Sequence, residues 1–513
     1  MVSEQQTNAA GKALQKAGSS ATETLETSEN RVAAAEREKI GDSAAAEENC
    51  GARSSAAAPE VTRTVTAERL REIFGGCGDF CERSLAPGGV ECSLFFFDGL
   101  VSSGDIAEYV LRPLSAFRGE PGFSADQPQS RERVLSYALS GAVWSAVAGA
   151  SDDLDDAVSK LLNGFCVLTV PGAGAAAYEV KTGEKRGISE PEVESTTRGP
   201  KDAFTETSRS NTGLLRRHLR SHRLKIEESA VGEGSHTNVS LIWVDGRARP
   251  EDVERMRRRL GKLEVRDLLT PAAVERAVTG RRQTPFPLLQ YTERTDKFAE
   301  ALLEGRVGLF VDGLPVGYLA PVNLGWLLRA AEDRDTDYLS VRLIHLLRLT
   351  ALAMSLLLPA LYVAMAEFHQ EMIPTKLLLA IIESKKLVPF PTVLEILGLL
   401  AAFEILQEAG LSAPKAISQP VSIIGGLVVG TAAAEANLIS PAALIVVSAA
   451  GICGFALPGK SFSDAVRLCR FALTVLAALA GLFGLTLGLV ALLVHLSRLD
   501  SFGRPWLAPY DEL

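Results

Sequence analysis

Four carboxylates stand in stretches that are otherwise apolar. Glu395 and Glu404 lie inside the run 393–406, Glu408 follows just after it, and Glu435 sits near the end of the run 421–438. An ionised group at mid-bilayer costs at least about 2.5 kcal/mol, so such residues face a protein interior or a water path. A ring of them in an oligomer favours cations. On a helix, Glu404 and Glu408 share a face with Leu397 and Ala401, whereas Glu395 points about 180° away. Glu395 and Glu404 therefore do not line one narrow pore together. Either one faces a conduit and the other a neighbouring helix, or one sits at an interface. The alternative is a helix lying along a membrane surface, turned there by Pro389 and Pro391.

Other residue types that carry chemistry do not assemble into a site. His218 and His222 would share a helical face, but Arg216, Arg217, Arg220 and Arg223 surround them and repel a cation. Cys77, Cys81 and Cys92 lack the paired spacing of a zinc module, and the seven cysteines fit a reducing compartment. No G-x-S-x-G, Walker or H-E-x-x-H motif occurs, so neither enzyme activity, a cofactor nor a metal site is expected. The net charge of −9 gives no support to nucleic-acid binding. The basic run 214–223 is either a docking or lipid-headgroup surface or a solvated helix face.

The elements that must position these residues fall into distinct textures. Residues 1–66 are rich in Ala, Glu, Ser and Thr and bury too little to offset ordering entropy, so a disordered arm is expected, without a secretory signal. Two compact subdomains follow, 67–203 and 204–340, in which short strands alternate with helices. Strands are expected at 93–97, 164–170 and 238–244, helices at 204–220 and 250–260, and a hairpin around Asp312-Gly313.

After Arg348 the chain turns almost wholly apolar. The region 341–497 is expected to be a helical transmembrane domain of about four to five spans: 349–366, 393–406, 421–438, 442–457 and a long last span, 471–494. The segment 377–382 is too short to cross. Arg342 and Arg348 place the preceding subdomains on the cytoplasmic side, and Lys460, Arg467 and Arg470 belong there too. Counting crossings leaves the short tail, 498–513, outside unless one segment is re-entrant. Small residues at Gly426, Gly430 and Ala434, and at Ala480, Gly484 and Gly488, form stripes on which helices could pack closely.

Several stretches carry a family resemblance. They include 96–101 (FFDGLV), 197–200 (TRGP), 284–287 (TPFP), 291–296 (YTERTD), 301–307 (ALLEGRV), 403–410 (FEILQEAG) and 501–505 (SFGRP). Taken in order, they resemble the A subunit of GerA-type spore germination receptors from about 95 to 509. Thr295 stands where the family often has Pro. The resemblance implies a spore inner-membrane protein with its N-terminal region in the spore core. It implies assembly with a transporter-like B subunit and a lipoprotein C subunit, and oligomerisation into a nutrient-gated cation channel that triggers germination. A sporulation paralogue class shares these motifs. The residues alone are also compatible with a non-conducting membrane scaffold that docks partners through its cytoplasmic subdomains.

Overall fold

The computed structural model describes residues 65–118, 127–181, 191, 194, 199–262, 270–280, 284–330, 332–333, 337–412 and 431–508, apart from 142, 146, 152 and 233. The expected arm before residue 65, and Gly426 and Gly430, lie outside the described residues.

The first half begins with helix α1 (Ala67–Ile73), started by the Thr66 hydroxyl accepting from the Arg69 amide. Strands β1 (Phe80–Leu85) and β2 (Cys92–Phe97) pair next, and helix α2 (Pro128–Leu139) leads to β3 (Ala148–Ser151). Helix α3 (Leu154–Leu162) and the hairpin of β4 (Phe165–Val170) and β5 (Gly174–Glu179) complete an antiparallel sheet of order β1-β2-β4-β5-β3. Leu94, Phe95, Phe97, Val167 and Leu168 are fully buried, so the apolar residues of β2 and β4 form its core.

The second half repeats this plan. Helix α4 (Ser208–His218) precedes β6 (Leu224–Val231) and β7 (Thr237–Val244). Helices α5 (Pro250–Gly261) and α6 (Pro271–Thr279) lead to β8 (Gln290–Thr292). Helix α7 (Thr295–Leu303) then precedes β9 (Val307–Val311) and β10 (Gly317–Ala320). The order is β6-β7-β9-β10-β8, so each half reads helix, hairpin, helices, edge strand, helix, hairpin. The equivalent strands β2 and β7 both run into Asp-Gly, as Leu94-Phe95-Phe96-Phe97-Asp98-Gly99 and Leu241-Ile242-Trp243-Val244-Asp245-Gly246. Both glycines hold positive φ, 88° and 76°, a conformation that side chains disfavour. Every strand pair in both sheets is antiparallel.

A helical C-terminal part follows. Helix α8 (Tyr338–Phe368) leaves the second half, and α9 (Thr375–Lys385) and α10 (Thr392–Ser412) come next. Helices α11 (Pro441–Phe455) and α12 (Lys460–Arg498) end the bundle. By length and composition α8 and α12 are long and apolar enough to cross a membrane. α10, of 21 residues, carries three glutamates, and α11 has 15 residues.

The expected single last span is corrected by the geometry of α12. Ala480 and Gly481 leave helical dihedrals, with Gly481 at φ 60° and ψ −140°. Beyond them the chain runs back along itself: a Cβ on Gly484 would strike the Leu476 carbonyl, and one on Gly488 would lie 2.7 Å from Leu473. Helix α12 is thus a hairpin whose arms, of roughly 20 and 17 residues, measure about 30 and 26 Å. Its turn meets Phe368 at the far end of α8, where a Cβ on Gly481 would lie 2.9 Å from the Phe368 side chain.

The hairpin returns the C-terminus to the second half, so the expectation of a tail on the opposite side is overturned. Short strands β11 (Asp500–Ser501) and β12 (Arg504–Pro505) form a clasp. The Ser501 hydroxyl accepts from the Val322 amide at 2.9 Å and donates to the Leu288 carbonyl at 2.8 Å. Trp506 is fully buried, donating from Nε1 to the Pro287 carbonyl at 3.0 Å. Arg504 pairs with Asp252 at 2.7 Å. Leu457, Phe462, Val466 and Leu499 from the bundle join Phe204, Phe298 and Phe310 in one apolar cluster. The bundle is therefore rooted in the second sheet's core.

Candidate functional site

Helix α10 places the carboxylates differently from one another. It starts beside the far end of α8, and its N-terminal Glu395 is buried, 4% exposed. Glu395 accepts from the Ser440 amide at the start of α11, where a helix N-terminus favours negative charge. Its other carboxylate oxygen has no hydrogen-bond partner among the described residues.

About two and a half turns on, Glu404 faces the first arm of α12. Arg470 donates to it at 2.7 Å and Arg467 at 3.0 Å. Arg470 is 1% exposed, so this carboxylate compensates a buried guanidinium. Arg467 also donates to Gln407. Close packing supports the seam: a Cβ on Gly451 of α11 would lie 2.5 Å from the Phe403 ring. Glu395 and Glu404 thus face neighbouring helices on opposite sides of α10.

Glu408 is different. It is exposed, in line with Leu394, Gly398, Ala401 and Ile405, which are exposed as well. That line is an unpartnered face of α10, apolar and small until it ends in the carboxylate. Glu435 is exposed too, in the one-turn helix Ala433–Glu435, with Ala434 half-buried beside it. Ala480 lies in the hairpin turn, off the helical stripe proposed for it, while Gly484 and Gly488 face the opposing arm.

Among the cations of the basic run Arg216 alone turns inward, whereas Arg217, Arg220, His222 and Arg223 are exposed. Arg216 is fully buried and donates through Nε and Nη2 to Asp79 of the first half, the second contact at 2.8 Å. Its guanidinium lies 4.1 Å from the centre of the Phe97 ring. Gly213 allows this approach, since a Cβ there would lie 2.5 Å from the Gly99 carbonyl. Arg220 donates to Asn163 at 2.9 Å. His218 contacts Asp202 at 2.6 Å and the Thr295 hydroxyl at 3.1 Å. The Asp202 hydrogen bond raises His218 above its ordinary value, and the same bond lowers Asp202 to about 2. Arg216–Asp79 and Arg220–Asn163 form a joint between the two sheets, while the His218–Asp202–Thr295 contacts lie beside it within the second half, where Ala203 bridges Arg294. Sequence reasoning missed the joint because charge runs are read as outward by default; the nearby Gly213, inside a helix, was the available signal.

A second link joins the sheets to the bundle. Arg348 of α8 donates to Asp333 at 2.5 and 2.8 Å and to the Leu328 carbonyl at 2.9 Å. The first long helix and the C-terminal clasp are thus both fastened to the second half.

Comparison with known proteins places this architecture. The family model for the Bacillus/Clostridium GerA spore germination protein matches residues 68–513. A Bacillus subtilis (strain 168) protein described as the uncharacterised membrane protein YfkQ is 36% identical over 443 residues, covering 86% of this chain and 84% of its own. Spore germination protein KA of the same organism is 32% identical over 455 residues, covering 88% and 82%. The crystal structure of the N-terminal domain of the A subunit of the Bacillus megaterium spore germinant receptor GerK3 covers 52% of this chain and 98% of its own, at 26% identity and a TM-score of 0.40. The chain belongs to the GerA spore germination protein family.

Proposed function

We propose that this chain is the membrane-embedded A-type subunit of a spore germinant receptor, and that copies of it assemble into a nutrient-gated cation channel in the spore inner membrane. Membrane embedding is supported by the outer surface of the bundle, where Leu361, Ile405, Ile445, Ile452, Leu479 and Phe483 are all exposed. Only 39% and 28% of the apolar windows of α8 and α12 are buried, unlike the core helices of a soluble fold. On this reading α8, α10, α11 and the two arms of α12 each traverse the bilayer, as does the expected span 421–438, most of which lies outside the described residues, making six crossings. The N-terminal halves and the C-terminal tail share the side facing the spore core.

The observation that carries conduction is Glu408, an exposed carboxylate ending the exposed face of α10. Lipid would penalise it, whereas a symmetric assembly would gather one per subunit around water. B-type and C-type subunits supply nutrient sensing and anchoring in this scheme. The test is cation efflux from proteoliposomes containing the chain, with Glu408→Gln expected to reduce cation preference over anions and unchanged selectivity counting against the pathway.

One observation favours a second reading, a non-conducting scaffold. Glu395 and Glu404 are occupied within the subunit, by Ser440 and by the two arginines, which leaves fewer carboxylates for a pore. The efflux assay separates the two.

A further inference from the structure

A cavity of about 590 Å³ lies where the second half meets the start of α8. That is the volume range of small-ligand sites. Both of its walls mix polar and apolar side chains. Lys297, Arg329, Arg342 and His345 contribute cationic or titratable groups, and Trp326, Leu328, Val341 and Leu349 contribute apolar surface. Of the three carboxylates in the lining, Glu304 is engaged by Arg329 at 2.8 Å and Asp333 by Arg348 and His345, and Glu300 is the third; Lys297 is paired with Glu194 at 2.7 Å. Arg342 is exposed, and no carboxylate pairs with it among the described residues; its guanidinium lies 4.4 Å from the centre of the Tyr338 ring.

The position of the cavity along α8 restricts what it would hold. Tyr338, Arg342, His345 and Leu349 face it at helical spacing, and Leu349 opens the apolar run. On the turns between them Leu339, Leu343, Leu346 and Leu347 are all more than half exposed on the outer side. An apolar outer face continuous with the apolar run sets these turns at headgroup depth, with the cavity opening beside them. Cations between helices at that level bind anionic headgroups.

We propose that the cavity holds the phosphate-bearing headgroup of an anionic phospholipid, with Arg342 as its mobile cation and Leu328, Val341 and Leu349 against the glycerol and upper acyl chain. The inference rests on the membrane reading above. An occupant there would touch the second half and α8 at once, beside the Arg348–Asp333 link, so bound lipid would bias the coupling between them.

The test uses the full chain in vesicles of phosphatidylcholine with a minority of phosphatidylglycerol, extracted in mild detergent, with co-purifying lipid measured by mass spectrometry. Wild type is expected to retain phosphatidylglycerol above its share of the vesicle, and Arg342→Gln to lower that enrichment by about fivefold, the weight of one interfacial cation. Arg498→Gln, which removes an exposed cation at the end of α12, should leave it unchanged. Equal loss in both variants would mean general surface attraction and overturn the site. Displacement of the lipid by excess inorganic phosphate would reassign it to a soluble anion. Co-flotation of the chain with vesicles but no enrichment overturns this inference alone, whereas failure to co-float sinks the membrane reading with it.

Discussion

Arg470 of the hairpin donates to Glu404 of α10 across 2.7 Å, and that contact turns one of the four apolar-segment carboxylates into the bundle. The guanidinium is almost completely buried, so the pair is a structural dependency as much as a candidate for transport. A buried ion pair is seldom worth more than a good apolar replacement, but breaking one leaves an uncompensated charge.

Glu404→Gln should therefore destabilise the bundle by about 3–5 kcal/mol, because Arg470 is left without its carboxylate. Thermal unfolding in detergent would measure the loss. Glu404→Leu combined with Arg470→Leu should recover most of it. A Glu404→Gln protein as stable as wild type would show that Arg467 and Arg470 find water in the assembled protein.

The His218–Asp202 contact beside the joint should be sensitive to pH. His218 is raised above its ordinary 6.5 chiefly by its hydrogen bond to Asp202, so its contribution is complete below 6.5 and is lost as pH rises through the raised value. Asp202 is lowered from 3.8 to about 2, so its contribution is complete above 3.8 and is lost as pH falls through about 2. Both describe one contact, strongest between those limits. In Asp202→Asn, the NMR titration of His218 should move back toward 6.5; an unmoved midpoint would contradict the pairing.

The clasp predicts sidedness. In a chain freed of other cysteines, Pro505→Cys should react with a membrane-impermeant thiol reagent from the same side as a chain retaining only Cys81. Labelling from opposite sides would dismantle the hairpin account of α12. Independently, Trp506→Ala should cost about 3–5 kcal/mol, as expected for emptying a buried indole site. A truncation at Leu499 should do at least as much harm.

Much of the soluble architecture was legible in the sequence, because strands such as Phe165–Val170 and Thr237–Val244 are short apolar runs ended by turn residues. The repeat of the two halves was missed, although Asp98-Gly99 and Asp245-Gly246 end equivalent strands; matching six-residue runs are weak signals until strand order is known. The hairpin was also missed. Gly481 is one of several glycines in an apolar helix, and neither Gly484 nor Gly488 is chemically distinguishable from it. The tail carried a usable clue: Phe502 and Trp506 are large, and both are buried, which a solvent-exposed tail would not favour. Arg470 was read as a flanking charge because its partner lies 66 positions away in sequence. The line through Leu394, Gly398, Ala401, Ile405 and Glu408 was only half visible, since periodicity defines a face but not which neighbour covers it.

Cation efflux from proteoliposomes carrying the purified chain together with its B-type and C-type partners tests the central proposal most directly. The account predicts potassium efflux that exceeds protein-free vesicles, rises when the cognate nutrient is added, and loses cation preference in Glu408→Gln. Folded, inserted complexes whose efflux stays at the protein-free level at every imposed voltage and nutrient would contradict it, and would leave the bundle as a scaffold.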